Sequence, residues 1–319
     1  MAPAIMRVTV AGAGDKSGSS WANAMGWAEF ETDYEGSAES GDMYYVMSGT
    51  YTLTSHLSTA IDGTSTDMIQ VIGVSDEALT EAVGADRPFF DGGASYYVRA
   101  DNWWRFRNVR VEGEQAYVLR ADTGAQFINC KADNSSGTAD RDAIRPEGAN
   151  CIVIKCEAIS DAGVGIFMFS RYGIVRQNHA HDCKTGIRII ERNAVEENII
   201  ETCTTYGLFI DTSTLDFNYI VNNTIWTCAT GINAPAGYDY LVADNLIDTN
   251  TTKGIVWAAA IDSAWFDYNN FNGNSGGDVT NVTKGPNTTS NVPGFTNAAG
   301  QDFSGVDAAN GSVIEDGVG

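Results

Sequence analysis

The sequence predicts an all-β protein, a parallel β-helix whose short strands stack rung on rung. Three observations predict it. Cys130, Cys156, Asn178, Asn198, Asn223, Asn245 and Asn269 fill one recurring slot, at steps of 26, 22, 20, 25, 22 and 24 residues. An apolar residue stands three places before each slot: Phe127, Val153, Val175, Val195, Ile220, Val242 and Phe266. A glycine followed by an aliphatic residue recurs further on, as at Gly165–Ile166, Gly186–Ile187, Gly207–Leu208, Gly231–Ile232 and Gly254–Ile255. So short a period has no room for a βαβ unit, and it fits one turn of a solenoid.

Each rung follows from the slots. Two places after the asparagine slot stand Ala180, Ile200, Ile225, Ile247 and Phe271, which must face inward. Five places after it stand Ser135, Asp161, Cys183, Cys203, Cys228, Asn250 and Asn274, an internal ladder position. Asn178, Asn198, Asn223 and Asn245 are expected to stack on one turn. A side-chain amide there can bond both its own turn and the next rung. Asn108, 22 residues before Cys130, is expected in the same ladder. Upstream, "MYYVMSGTYTL", "MIQVIGV" and "WWRFRNVRVEG" read as further strands.

Two flanking segments carry a resemblance. "SGSSWANAMGWAEF" followed by "GDMYYVMSGTYT" resembles the opening of right-handed parallel β-helix proteins of the pectate-lyase-like superfamily. "NVPGFTNAAGQDF" resembles their closing segment. The resemblance implies a right-handed solenoid with a short N-terminal capping helix. It divides the chain into a cap over 1–41, rungs over 42–285 and a closing segment over 286–319. It is specific for fold and poor for function, because this superfamily hosts lyases, hydrolases, adhesins and phage spike or decoration proteins.

The formal charge of −22 argues against nucleic acid or an anionic membrane as partner, and it repels a polyuronate unless a local basic patch intervenes. No apolar run approaches the ~20 residues that span a bilayer. No basic region leads into a long apolar one near Met1, so no secretory signal is expected.

"NHAHDCKTG" suggests a metal site, because His179, His181 and Cys183 alternate. The repeat argues against it. Ala180 shares the inward slot, so His179 and His181 point outward, between Glu157 and Ile159 on one rung and Ile199 and Glu201 on the other. Cys183 belongs to the inner column of Cys203 and Cys228. No metal and no disulfide are expected, and the thiols are read as reduced core residues.

The outward positions after the glycine step form two rows. The first reads Arg145, Phe167, Arg188, Phe209, Asn233, Val256, and the second includes Glu147, Phe169, Ile190 and Asp211. Phe167, Phe169 and Phe209 with Arg188 are expected to form an exposed binding surface. The favoured function is a non-catalytic virion component, a capsid decoration or spike-like attachment protein, contacting other virion proteins, itself or a surface glycan. It would be made in the host cytoplasm. The alternative is an extracellular or periplasmic polysaccharide lyase or glycoside hydrolase acting on an acidic polysaccharide. Arg188, Asp211, His179 and His181 would then be its catalytic candidates, with calcium as the cofactor of a lyase and none otherwise.

Overall fold

A computed structural model describes residues 3–135, 140–211, 217–234, 240–258 and 265–292, and the backbone of two short strands, Gly305–Val306 and Val313–Ile314. Most of the closing segment lies outside the described residues. The rest is a parallel β-solenoid.

One wall is an 11-stranded sheet running from Ile5–Val8 to Trp265–Asp267. An 18-stranded sheet makes the other two walls. It turns the corner between them in the unbroken strands Glu157–Met168 and His179–Ile189. The second wall includes Lys131–Asp133 and Ile199–Glu201, and the third includes Tyr117–Ala121, Asp142–Pro146 and Tyr206–Ile210. Every pairing within these walls is parallel, and the slots aligned in the sequence are Cα partners. Val153, Val175, Val195, Ile220, Val242 and Phe266 stack along the first wall, and Ala180, Ile200, Ile225, Ile247 and Phe271 along the second.

The corner between the first and second walls explains the asparagine slot. A residue with left-handed backbone comes first, Gln177, Glu197, Asn222 or Asp244 at φ between 56 and 57°. It throws its side chain outward, and the next residue turns inward as the ladder asparagine. Asn198 Oδ1 accepts the backbone N–H (3.0 Å) and Nδ2 (2.9 Å) of Asn178. Asn198 Nδ2 donates to Val175 O and to Asn223 Oδ1, both at 2.9 Å. Asn223, Asn245 and Asn269 repeat the arrangement. The ladder thus satisfies corner groups that no strand pairing reaches. Asn108 falls one residue short of the ladder: it stands level with Asn129, whose Nδ2 donates to its Oδ1 at 2.8 Å, and is itself a left-handed turn residue.

The other corner explains the glycines. A Cβ on Gly186 would lie 2.4 Å from Ile200 Cγ2, and one on Gly207 2.5 Å from Ile225 Cγ2. The third wall there packs directly on the second, and only glycine permits the approach. Two slots need correction. Asn134, not Ser135, is the buried residue of its rung, and Ser135 is exposed. Spacing gives Asp161 the position beside Cys183, but the strand shifts register and Ser160 takes it. Ser160 is buried and Asp161 exposed, which spares a carboxylate the cost of burial.

The helix Trp27–Gly36 closes the open N-terminal end. Phe30 and Tyr34 are buried, Tyr34 meets Trp104 at 4.7 Å between centroids, and its hydroxyl donates to Arg99 O at 2.7 Å. Ile5–Val8 pairs with Met43–Met47 as the outermost rung.

Candidate functional site

Outside the glycine corner, the third wall carries a continuous column. Its register runs Arg99, Arg120, Arg145, then Phe167, Arg188, Phe209, Asn233 and Val256. Stacked rungs place these side chains ~4.8 Å apart, so each lies over its neighbour. The Arg145 guanidinium sits 5.2 Å from the Phe167 centroid and 5.6 Å from that of Phe169. Arg188 sits 4.4 Å from Phe167 and 5.7 Å from Phe209. Phe209 in turn stacks on Tyr206 at 5.1 Å.

The column continues towards the capped end through residues that the spacing argument missed. Arg120 lies 5.0 Å over the Tyr117 ring and donates to its hydroxyl at 3.0 Å. Tyr117 meets Tyr97 at 4.8 Å, and His56 stacks on Tyr97 at 3.9 Å. A signal for them is present in the sequence: "YYVRAD" ends at Asp101 and "YVLRAD" at Asp122, 21 residues apart.

Carboxylates line the edges of the arginines. Arg145 pairs with Asp142 (3.2 Å) and Glu147 (2.8 Å), and Glu147 also pairs with Arg120. Arg99 reaches Asp101 at 3.3 Å and Asp122 at 3.7 Å, and Asp122 lies 3.6 Å from Arg120. Arg188 Nε donates to Asp211 at 3.1 Å. Burial pushes the Asp142 carboxyl up to about 6, against the pull of Arg145 and Arg188. Burial and a hydrogen bond to Asp122 raise Asp101 as well.

Phe167 is a correction to the exposed surface expected of it. It holds its outward register but is only 5% exposed, because two guanidinium planes and the edge of Phe169 cover the ring. Phe169 is 45% exposed and Phe209 half-buried, so these two present the aromatic surface. Arg188 and Asp211 come together on this wall.

His179 and His181 lie elsewhere, on the second wall. Their rings stack at 4.3 Å. His179 Nε2 meets Glu201 at 2.8 Å, while His181 meets Asp182 at 2.8 Å and Glu157 at 3.4 Å. His181 is 8% exposed and Glu201 1%, so the pair is a recessed network rather than a loose surface patch. The His181 hydrogen bond, then Lys131, holds Glu157 down at about 2. His181 is raised: burial opposes its charge, but Glu157 and Asp182 outweigh it.

Cys183 shares the strand but not the face. It is buried, its Sγ lies 3.1 Å from His181 O, and burial pushes its thiol well up, as it does Cys203. Cys203 and Cys228 continue its column as free, buried thiols. Both ring nitrogens of His181 are engaged, and the sulfurs point into the core. Among the described residues no three of His, Cys, Asp and Glu are grouped to hold a metal ion.

Fold and site together define a parallel β-helix with an outward ladder of arginines, aromatics and carboxylates. The chain belongs to the family described as "Periplasmic copper-binding protein (NosD)", which matches it over residues 107–304. Solved structures share the architecture. Pectate lyase Pel9A is 13% identical, with 99% of this chain and 89% of that one covered and a TM-score of 0.55. The GH136 lacto-N-biosidase from Eubacterium ramulus is 10% identical over 90% of this chain and 68% of its own, at a TM-score of 0.65. The Dettilon tailspike protein is 15% identical over 82% and 57%, at 0.55. At these identities the likeness is one of fold. No curated protein matches the chain.

Proposed function

We propose that the protein is a glycan-binding β-helix and that its third wall takes the sugar chain. One observation carries this: from Arg145 to Phe209 the column alternates guanidinium and phenyl groups at the rung spacing, with Phe169 and Tyr206 beside it, and that spacing is close to the length of one sugar residue. Phe169, Phe209 and Tyr206 offer faces for the apolar side of a pyranose. Glu147, Asp211 and the arginines offer edges for its hydroxyls. The test is retention of the whole chain on a panel of immobilised polysaccharides. Binding that Phe169→Ala and Phe209→Ala together abolish supports the reading, and retention by none of the panel sinks it.

A catalytic version rests on Asp142. A buried carboxyl raised to about 6 beside two arginines suits a group that carries a proton to a glycosidic oxygen. New reducing ends formed by the wild type and not by Asp142→Asn would support that version. Arg188 supports a lyase less well, since Asp211 holds its edge and two aromatic rings its faces. No donor set for a lyase calcium is grouped among the described residues.

Where the glycan is met is a further part of the proposal. A spike-type virion protein and a periplasmic protein would use the same wall. Immunoblots of purified particles against osmotic-shock fluid separate the two. Among the described residues no helix is long and apolar enough to cross a membrane. Copper, which the family's description states, does not fit the donors present: the thiols face the core, His179 and His181 are bonded to carboxylates, and His56 stacks on Tyr97 instead.

A further inference from the structure

We propose that the glycan taken by the third wall is electrically neutral, and that a polyuronate is not its ligand. This rests on the glycan-binding reading and narrows it. The arginine column looks like an anion site only while its partners are ignored. Arg99, Arg120, Arg145 and Arg188 make four positive charges. Asp101, Asp122, Asp142, Glu147 and Asp211, all in contact with them, make five carboxyls. The wall is therefore balanced or slightly acidic, on a chain whose formal charge is −22.

Geometry points the same way. Strong recognition of a carboxylate uses the free fork of a guanidinium, two N–H groups side by side. Here the forks already face protein carboxylates, and aromatic rings cover the planes of Arg145 and Arg188. A ligand uronate would displace an ion pair and meet the displaced carboxylate. A sugar hydroxyl meets no such obstacle. It donates to a carboxylate oxygen and accepts from an N–H without breaking the pair between them.

Affinity electrophoresis of the whole chain tests this. Gels would contain neutral polysaccharides (xyloglucan, galactomannan, β-glucan) or acidic ones (polygalacturonate, alginate), at about 0.02 and about 0.5 M NaCl, where screening differs strongly. The expected result is retardation by at least one neutral polymer, unchanged by salt, and none by the acidic ones. A Glu147→Gln/Asp211→Asn variant frees edges of Arg120, Arg145 and Arg188, and it should gain salt-sensitive retardation by polygalacturonate. Retardation of the wild type by an acidic polymer alone, fading with salt, overturns the neutral ligand and leaves glycan binding standing. Retardation by neither kind overturns both.

Discussion

Asn198→Ala removes one link from the asparagine ladder, and its cost can be worked from the bonds. Four hydrogen bonds disappear. The Asn178 backbone N–H loses its acceptor and is left buried and unpaired, a penalty of about 1–3 kcal/mol. Asn178 Nδ2 keeps its bond to Val153 O, and Asn223 Oδ1 keeps the Asn198 backbone N–H. With the Val175 carbonyl, the weakened groups add roughly 1–2 kcal/mol, so the total is about 2–5 kcal/mol. Asn198→Cys is the informative companion. Cys156 occupies the same slot one rung above Asn178, and its Sγ accepts the Cys130 backbone N–H at 3.4 Å. A cysteine at 198 can therefore pair the Asn178 N–H and should recover about 1 kcal/mol of the loss. Urea unfolding followed by tryptophan fluorescence reads both, and the expected order of stability is wild type, Cys, Ala. An alanine variant within about 0.5 kcal/mol of wild type, or a cysteine no better than alanine, would refute the reasoning.

Phe167→Ser should cost about 3–5 kcal/mol, since it empties a buried position and removes two stacked guanidinium contacts, whereas Phe209→Ser should cost under about 2 kcal/mol and act on glycan retention instead. Equal losses in thermal unfolding would contradict the burial difference. Gly186→Ala should destabilise by about 1–3 kcal/mol, because the new Cβ lands on Ile200 Cγ2; a neutral result in the same assay would show that the corner can yield. The Glu157–His181 pair predicts a stability maximum in mildly acid solution. Glu157 is lowered from 4.5 to about 2, so its contribution is present above 4.5 and lost as pH falls through about 2. His181 is raised above 6.5, so its contribution is full below 6.5 and lost as pH rises through the folded value. Glu157→Gln should flatten both limbs of unfolding free energy against pH, and an unchanged profile would count against the pair.

Periodic slots made the fold legible. Val175, Val195 and Ile220 repeat because each must fill the same space, so spacing alone placed them. Three features escaped for separate physical reasons. Ser160 displaced Asp161 because a strand can shift by one residue to avoid burying a carboxylate, and a count of residues cannot weigh that. Asn193 and Asn218 form a second ladder at another corner, yet 25 residues separate them and only two rungs show it, too few to stand out as a repeat. Phe167 was placed on the correct side but given the wrong exposure. Register fixes direction, while burial depends on what the neighbouring rungs lay across it. The arginine partners of Phe167 were in the row already; that they would fold over the ring depended on three-dimensional contact.

The same construction explains why function was less legible than fold. At each ladder corner, a left-handed turn residue is followed by an inward asparagine, and the turn residue itself is free to be Gln177, Glu197, Asn222, Asp244 or Tyr268. The inner columns hold mostly apolar residues and the ladder asparagines, but nothing in the ladder restricts what faces out. Outward positions therefore carry no periodic constraint of their own and can change without disturbing a rung. What the solenoid does impose on them is distance. Any residue placed on a rung stands ~4.8 Å from the next, so a site is written along the column as a sequence of neighbours rather than within a loop. On the third wall that column reads arginine, arginine, arginine, phenylalanine, arginine, phenylalanine, with a carboxylate at each guanidinium edge. Such a wall presents polar edges already matched in charge, and a long partner with its own short repeat is the kind of ligand that can meet every rung in turn.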